Sequence, residues 1–270
     1  MKRTLFTLLK IGLVGTILYY LIQSGRLNFE RLMLLMEFPG VLLMMYLILI
    51  AVVVPMATFR WWLLLKAIGL HVEMKQTFLL TWIGNFFNTT LPGAITGDVV
   101  KGYYVIRSEK EEGRTRAFMT LLIDRFVGLF GLVIMAFSAM IFNLELILNQ
   151  SSLHTLAWSI STLFGATLIF YGIALYPFAE GKDPFIRLFS RLPGKDFLLK
   201  VYLAFKSYQY HKPTLVITLL LSISIHMLVG LIFYKVSKLM GIQEMNLATQ
   251  FFLMPVGLIT VAIPIAPGGI

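Results

Sequence analysis

The sequence predicts an all-α polytopic membrane protein: a helical bundle with two inverted re-entrant, broken half-helices. Three observations predict it. Of 270 residues, 58% are hydrophobic and 13% charged, where a soluble domain runs about 45–50% apolar and about 25% charged. The apolar residues gather in stretches of about 20, the length that crosses a hydrocarbon core of about 30 Å. Two further apolar stretches are short and end in Pro and Gly clusters, the pattern of discontinuous helices at membrane depth.

The elements follow in order. Residues 5–22 form the first span, with Lys10 near enough to its end to snorkel. The start Met1-Lys2-Arg3 resembles a signal peptide, but no A-x-A-like site follows, so an uncleaved span is expected. Residues 41–58 form the second, with Pro55 kinking it. The short stretch 77–91 ends in Asn88-Thr89-Thr90-Leu91-Pro92-Gly93, and an interfacial amphipathic helix is expected over 99–106. Residues 117–142, 155–178 and 214–234 are three more full spans. The short stretch 250–263 ends in Pro264-Ile265-Ala266-Pro267-Gly268-Gly269. All of this reads as one integral membrane domain over 1–270.

Loop charge sets orientation. Of the 23 Lys and Arg, 18 fall in 1–10, 60–75, 98–116 and 182–212, which are therefore expected in the cytoplasm. Four fall in the other connections, and Arg125 lies inside a span. This alternation holds if 77–91 enters from the cytoplasm and returns there, while 250–263 enters from the opposite side. The two broken segments then have inverted topology, an arrangement found in secondary transporters. The expected location is a bacterial or archaeal cytoplasmic membrane, with the N-terminus in the cytoplasm.

The composition excludes a soluble globular domain and a disordered chain. It also excludes a nucleic-acid binder, because the net charge of +10 is interleaved with apolar runs rather than gathered in a patch. The basic, aromatic loop 181–212 suits anionic lipid better than nucleic acid. Cysteine is absent, which removes disulfides, thiol nucleophiles and thiolate metal sites. The four histidines are scattered, and no HExxH, GxxxxGK[ST] or GxSxG motif occurs. No cofactor and no metal is expected.

A few polar residues in apolar surroundings carry the candidate chemistry. Asp124 and Arg125 lie inside a span, where ionisable residues pair or face a wet cavity. Adjacent helical residues point about 100° apart, so the two need not pair with each other. Two readings stand for Arg125: its planar fork holds an anionic head group, or it makes a structural ion pair or snorkels to the interface. Asn85, Asn88 and Thr89 share one helix face, with Thr90 beside them, and either hydrogen-bond a neighbouring helix or line a cavity. Pro92, Gly93 and Gly97 let the backbone break. Asp98 is expected as the N-cap of 99–106, with Lys101 one turn on. Pro264, Pro267, Gly268 and Gly269 form the second break. His226 is either a proton relay or a buried histidine bonded to a neighbour.

In order along the chain stand Arg60-Trp61 with Leu63-Leu64 and Gly69, Leu91-Pro92-Gly93 to Gly97-Asp98 and Lys101, Asp124-Arg125 with Gly128, and Ile263-Pro264 to Pro267-Gly268-Gly269-Ile270. This series resembles the lysylphosphatidylglycerol synthase transmembrane-region family of flippase-like integral membrane proteins, from about Arg60 onward. The resemblance implies inverted re-entrant segments and the handling of an anionic lipid. Bifunctional members add a soluble domain that transfers lysine from charged tRNA to the lipid, and these 270 residues contain no such domain. Two departures stand out. Family members often carry Arg where this chain has Lys101. They also continue past the Pro-Gly-Gly-Ile motif, within which this chain stops, so a truncated C-terminus is expected.

The leading expectation is a flippase-like transporter of an anionic lipid, of phosphatidylglycerol, aminoacyl-phosphatidylglycerol or polyprenyl-phosphate type. Arg125 and Lys101 would supply positive charge, and Asn85, Asn88, Thr89 and Thr90 neutral hydrogen bonds. One alternative is an enzyme or membrane subunit of lysylphosphatidylglycerol synthesis, less favoured because no two carboxylates are placed for acid–base work. Another is a membrane assembly scaffold without transport. The expected partner is an anionic membrane lipid; assembly with further copies of the chain is left open.

Overall fold

The computed structural model describes residues 29–90, 96–108, 111–178, 182–243 and 245–261, with 12, 15, 16, 19, 20 and 22–24 of the N-terminal stretch. Twelve helices are named here in chain order: α1 (Phe29–Leu34), α2 (Pro39–Ile48), α3 (Val54–Ala67), α4 (Met74–Thr90), α5 (Thr96–Ser108), α6 (Glu111–Ile141), α7 (Leu144–Asn149), α8 (Ser151–Ala174), α9 (Pro184–Phe189), α10 (Lys195–Lys206), α11 (Lys212–Leu239) and α12 (Leu247–Val261). No strand occurs among the described residues. Among the described residues, four helical stretches are long and apolar enough to cross a membrane: Pro39–Ala67, Thr115–Ile141, Leu153–Ala174 and Lys212–Leu239; the first span expected over 5–22 lies largely outside them. The protein is an all-α, multi-pass membrane protein.

The central element is α6, against which α3, α5, α8, α10, α11 and α12 pack. Half of its most apolar stretch is buried, against 6% for Pro39–Ala67 and Leu153–Ala174. Those outer helices expose Leu43, Met44, Leu47, Leu168 and Ile169. Such a surface is intolerable in water and natural against lipid. Lipid is as apolar as leucine, so close packing holds the bundle rather than hydrophobic burial. Gly131 of α6 meets the Ser222 side chain of α11, and Gly230 of α11 meets Phe251 of α12. Along α8, ring pairs Phe126–Phe170, Phe130–Tyr171 and Phe137–Phe164 run antiparallel to α6.

Several expectations are corrected. The second span does not end at residue 58; the helix runs on to Ala67. Arg60 therefore sits inside a span and leaves the loop set that was counted for orientation. Pro55 does disturb the helix: Leu49–Val53 form a single π turn just ahead of it, which accommodates the missing donor. Gly69, at φ 78°, closes α3, with its N–H on the Lys66 carbonyl and the Leu70 N–H on that of Leu65. This left-handed cap turns the chain back into α4.

The two short apolar stretches approach α6 from opposite ends. α4 and α5 pack as an antiparallel pair, and Asp98 in the first turn of α5 reaches Arg125, near the midpoint of α6. Lower down the pair, Gly102 meets Phe118 and Leu121, and Val105 is buried beside Ala117. The stretch 99–106 is thus a helix packed on one side, with Val99, Tyr103 and Tyr104 exposed on the other. α12 starts at the far end of α6, where Thr249 donates to Asn143 (3.1 Å). It then runs back, with Met254 clustered with Leu132 and Met135 and Leu258 packed against them. The breaks themselves, Pro92 and Gly93 in the first and Pro264, Pro267, Gly268 and Gly269 in the second, lie outside the described residues.

Candidate functional site

The α4–α5 contact is built on close backbone approach. A methyl group on Gly97 would stand 1.9 Å from the Gly84 carbonyl oxygen and 2.7 Å from the Asn88 side chain. Only glycine permits that separation. The Gly97 N–H donates to Asn88 Oδ1 at 2.7 Å, so Asn88 ties α4 to the start of α5. Asp98 lies within the first turn of α5 rather than capping it. A carboxylate there still suits the positive end of the helix dipole.

Asp98 faces α6 and gathers two cations. Arg125 Nε donates to its carboxylate, and Lys101 Nζ lies 3.6 Å from it. The Lys101 ammonium also stands over the Trp61 ring, 5.4 Å from its centroid. Trp61 is anchored in turn by its Nε1–H on the Thr120 hydroxyl (3.1 Å). The side chains of Lys101 and Asp98 are 11% and 15% exposed, and that of Arg125 is 34% exposed. Arg125 is thus the open member of the cluster.

Asp124, one residue away on α6, points elsewhere and pairs with Arg60 of α3. The guanidinium donates through Nε to Oδ1 (2.8 Å) and through Nη2 to Oδ2 (2.9 Å), a bidentate fork. Its remaining arm, Nη1, donates to Ser222 Oγ of α11 (2.9 Å). The Ser222 hydroxyl in turn donates to the Thr218 carbonyl (2.8 Å). Just above, His226 Nε2 lies 2.9 Å from the Gly128 carbonyl oxygen, and because a carbonyl only accepts, that nitrogen carries the proton. His226 is therefore bonded to a neighbour. α3, α6 and α11 are locked together by polar groups that lipid could not satisfy.

The Asn and Thr residues are not all brought to this site. Thr89 and Thr90 are exposed and bond back to the carbonyls of Asn85 and Phe86 in their own helix. Asn85 is half-buried, and its carboxamide makes no hydrogen bond among the described residues. Sequence reasoning missed Arg60 as the partner of Asp124, because Arg60 follows the span edge assigned by hydropathy. It missed Ser222 because a serine in a span is usually mute. The apolar run on both sides of Arg60, from Pro55 to Leu65, was the available signal.

A second charged cluster lies outside the spans, in 182–212. Asp183 accepts from Lys206, from Tyr202 Oη (3.0 Å) and from the Phe185 N–H (3.0 Å). Burial works to raise its carboxyl, and these donors outweigh burial, holding it below the ordinary 3.8. The Tyr202 hydroxyl is pushed well up, by burial first and then by Asp183. The loop thus folds as a small unit, α9 with α10, rather than as a loose basic strand.

The described residues hold no group of three or more His, Asp and Glu able to bind a metal ion. Comparison with curated proteins and with solved structures finds no match. The model of the family described as Lysylphosphatidylglycerol synthase TM region matches residues 7–270. This match spans the bundle, the α4–α5 pair and the charged centre alike, and the chain belongs to the lysylphosphatidylglycerol synthase TM region family.

Proposed function

We propose that this protein carries an anionic lipid head group between the leaflets of a bacterial or archaeal cytoplasmic membrane, as a flippase-like transporter. The α4–α5 pair and α12 act as re-entrant half-helices that approach one point from opposite sides. The carrying observation is the charge at that point: among the described residues, the cations Arg60, Lys101 and Arg125 stand with the carboxylates Asp98 and Asp124. A net positive charge at membrane depth is costly. A phosphate-bearing head group balances it.

Arg60 and Asp124 satisfy each other, so the anion is drawn to the Asp98 side, where Arg125 is open. Arg125 offers a planar fork for phosphate and Lys101 a second charge. Asn85, on the neighbouring face of α4, supplies a neutral hydrogen bond. Asp98 holds both cations in place when no lipid is bound and is displaced from Arg125 when one is. Each carboxylate is committed to a cation, which leaves neither free to act as a general base and disfavours an enzymatic reading at this site.

The test is head-group translocation in proteoliposomes containing fluorescent phosphatidylglycerol. Arg125→Ala is expected to reduce translocation at least tenfold while the protein elutes and melts as wild type does. Undiminished translocation by that variant overturns the site. Chemical conversion of the lipid on expression, rather than a change of leaflet, would favour the membrane part of lysylphosphatidylglycerol synthesis.

A further inference from the structure

A cavity of about 260 Å³ opens between the N-terminal half of α6, the end of α3 and α10. Its walls include Ile68, Met119, Ile123 and Leu203, and its rim carries Arg116 of α6 and Lys200 of α10. Among the described residues, no carboxylate lines it. Arg116 and Lys200 are both exposed, and neither has an ion pair among the described residues. Of the three lysines of α10, Lys206 is spent on Asp183 and the Phe178 ring, and Lys200 is the one that lines the cavity. α10 also exposes Phe197 and Leu203, apolar side chains beside lysines, as on a helix lying at the bilayer interface.

We infer that this groove is a binding site for one phospholipid with an anionic head group, its phosphate held between Arg116 and Lys200 and one acyl chain entering along Met119, Ile123 and Leu203. Charge and shape together name the occupant. Two cations with no ion pair among the described residues select an anion, and an apolar wall behind them selects one that carries a hydrocarbon chain. A free phosphate gains nothing from that wall. The groove lies on a different part of α6 from Arg125 and is independent of translocation. A lipid seated here pins α10 to α6.

Native mass spectrometry of the full chain in detergent, titrated with phosphatidylglycerol or phosphatidylcholine, tests this. Wild type is expected to retain one phosphatidylglycerol in preference to phosphatidylcholine. The pair Arg116→Gln and Lys200→Gln should weaken that retention roughly 25-fold, about fivefold per charge. Arg116→Lys with Lys200→Arg should restore most of it, which separates lost charge from misfolding. Arg125→Gln should leave it in place, even where translocation is lost. Equal retention of phosphatidylcholine, undiminished binding by the glutamine pair, or displacement by chain-free glycerol phosphate at equal concentration would overturn the site. Loss of retention in Arg125→Gln alone would place the bound lipid at the centre of the bundle and overturn it as well.

Discussion

Asp124 and Arg125 stand side by side in the chain and serve different partners. The helix turns about 100° between them, which sends one to Arg60 and the other to Asp98. Their substitutions should therefore differ in kind. Arg60→Ala strands the Asp124 carboxylate among packed helices and is expected to cost about 3–5 kcal/mol, read as a lower melting temperature in detergent. Arg60→Gln combined with Asp124→Asn should recover much of that loss, since no charge is left unpaired. Arg125→Ala, at an open position, should spare the fold. Asp183 gives a pH signature. Its folded value lies below its ordinary value of 3.8, so its contribution is complete above that value and is lost as pH falls through the lower folded one. Asp183→Asn should flatten this acid limb in a melting curve taken against pH.

At the scale of elements, the α4–α5 pair depends on Gly97 and Gly84 touching backbone to backbone. Gly97→Ala is expected to force the helices apart at a cost of about 1–3 kcal/mol, with faster amide exchange confined to α4 and α5. Sequence reading found both short helices, because each is an apolar run too short to cross a membrane alone; the breaks it placed after them lie outside the described residues. It read 99–106 as an amphipathic helix, and Val99, Tyr103 and Tyr104 are exposed; it did not foresee that Lys101 stands over Trp61 and Val105 packs beside Ala117. It misplaced Arg60 because hydropathy ends a span at its first charge, whereas the helix continues while its hydrogen bonds do.

At the scale of the whole molecule, the ends of the bundle sort the basic stretches. Ile68, Arg116 and Lys200 line one cavity at one end, and Asn143 meets Thr249 at the other. The stretches 66–75, 107–116 and 182–212 thus share an end, as loop charge requires if that end faces the cytoplasm. The cysteine-free chain makes this directly measurable. Single cysteines introduced at Lys75, Arg116 and Lys195 should react with impermeant maleimide from one side of the membrane, and one at Gln150 from the other. Arg116 and Lys195 labelling from opposite sides would break the topology.

Composition and the spacing of apolar runs determined the class of this protein and the order of its apolar helices from residue 39 onward, because the bilayer taxes every exposed charge and every unpaired amide in the same way wherever it occurs. The tertiary structure alone decided who pairs with whom. Which carboxylate answers Arg60, which one answers Arg125 and which hydroxyls merely serve their own helix depend on the rotation of one helix against the next. That rotation is set by contacts such as Gly97 on Gly84 and Gly131 on Ser222, between residues far apart in the chain.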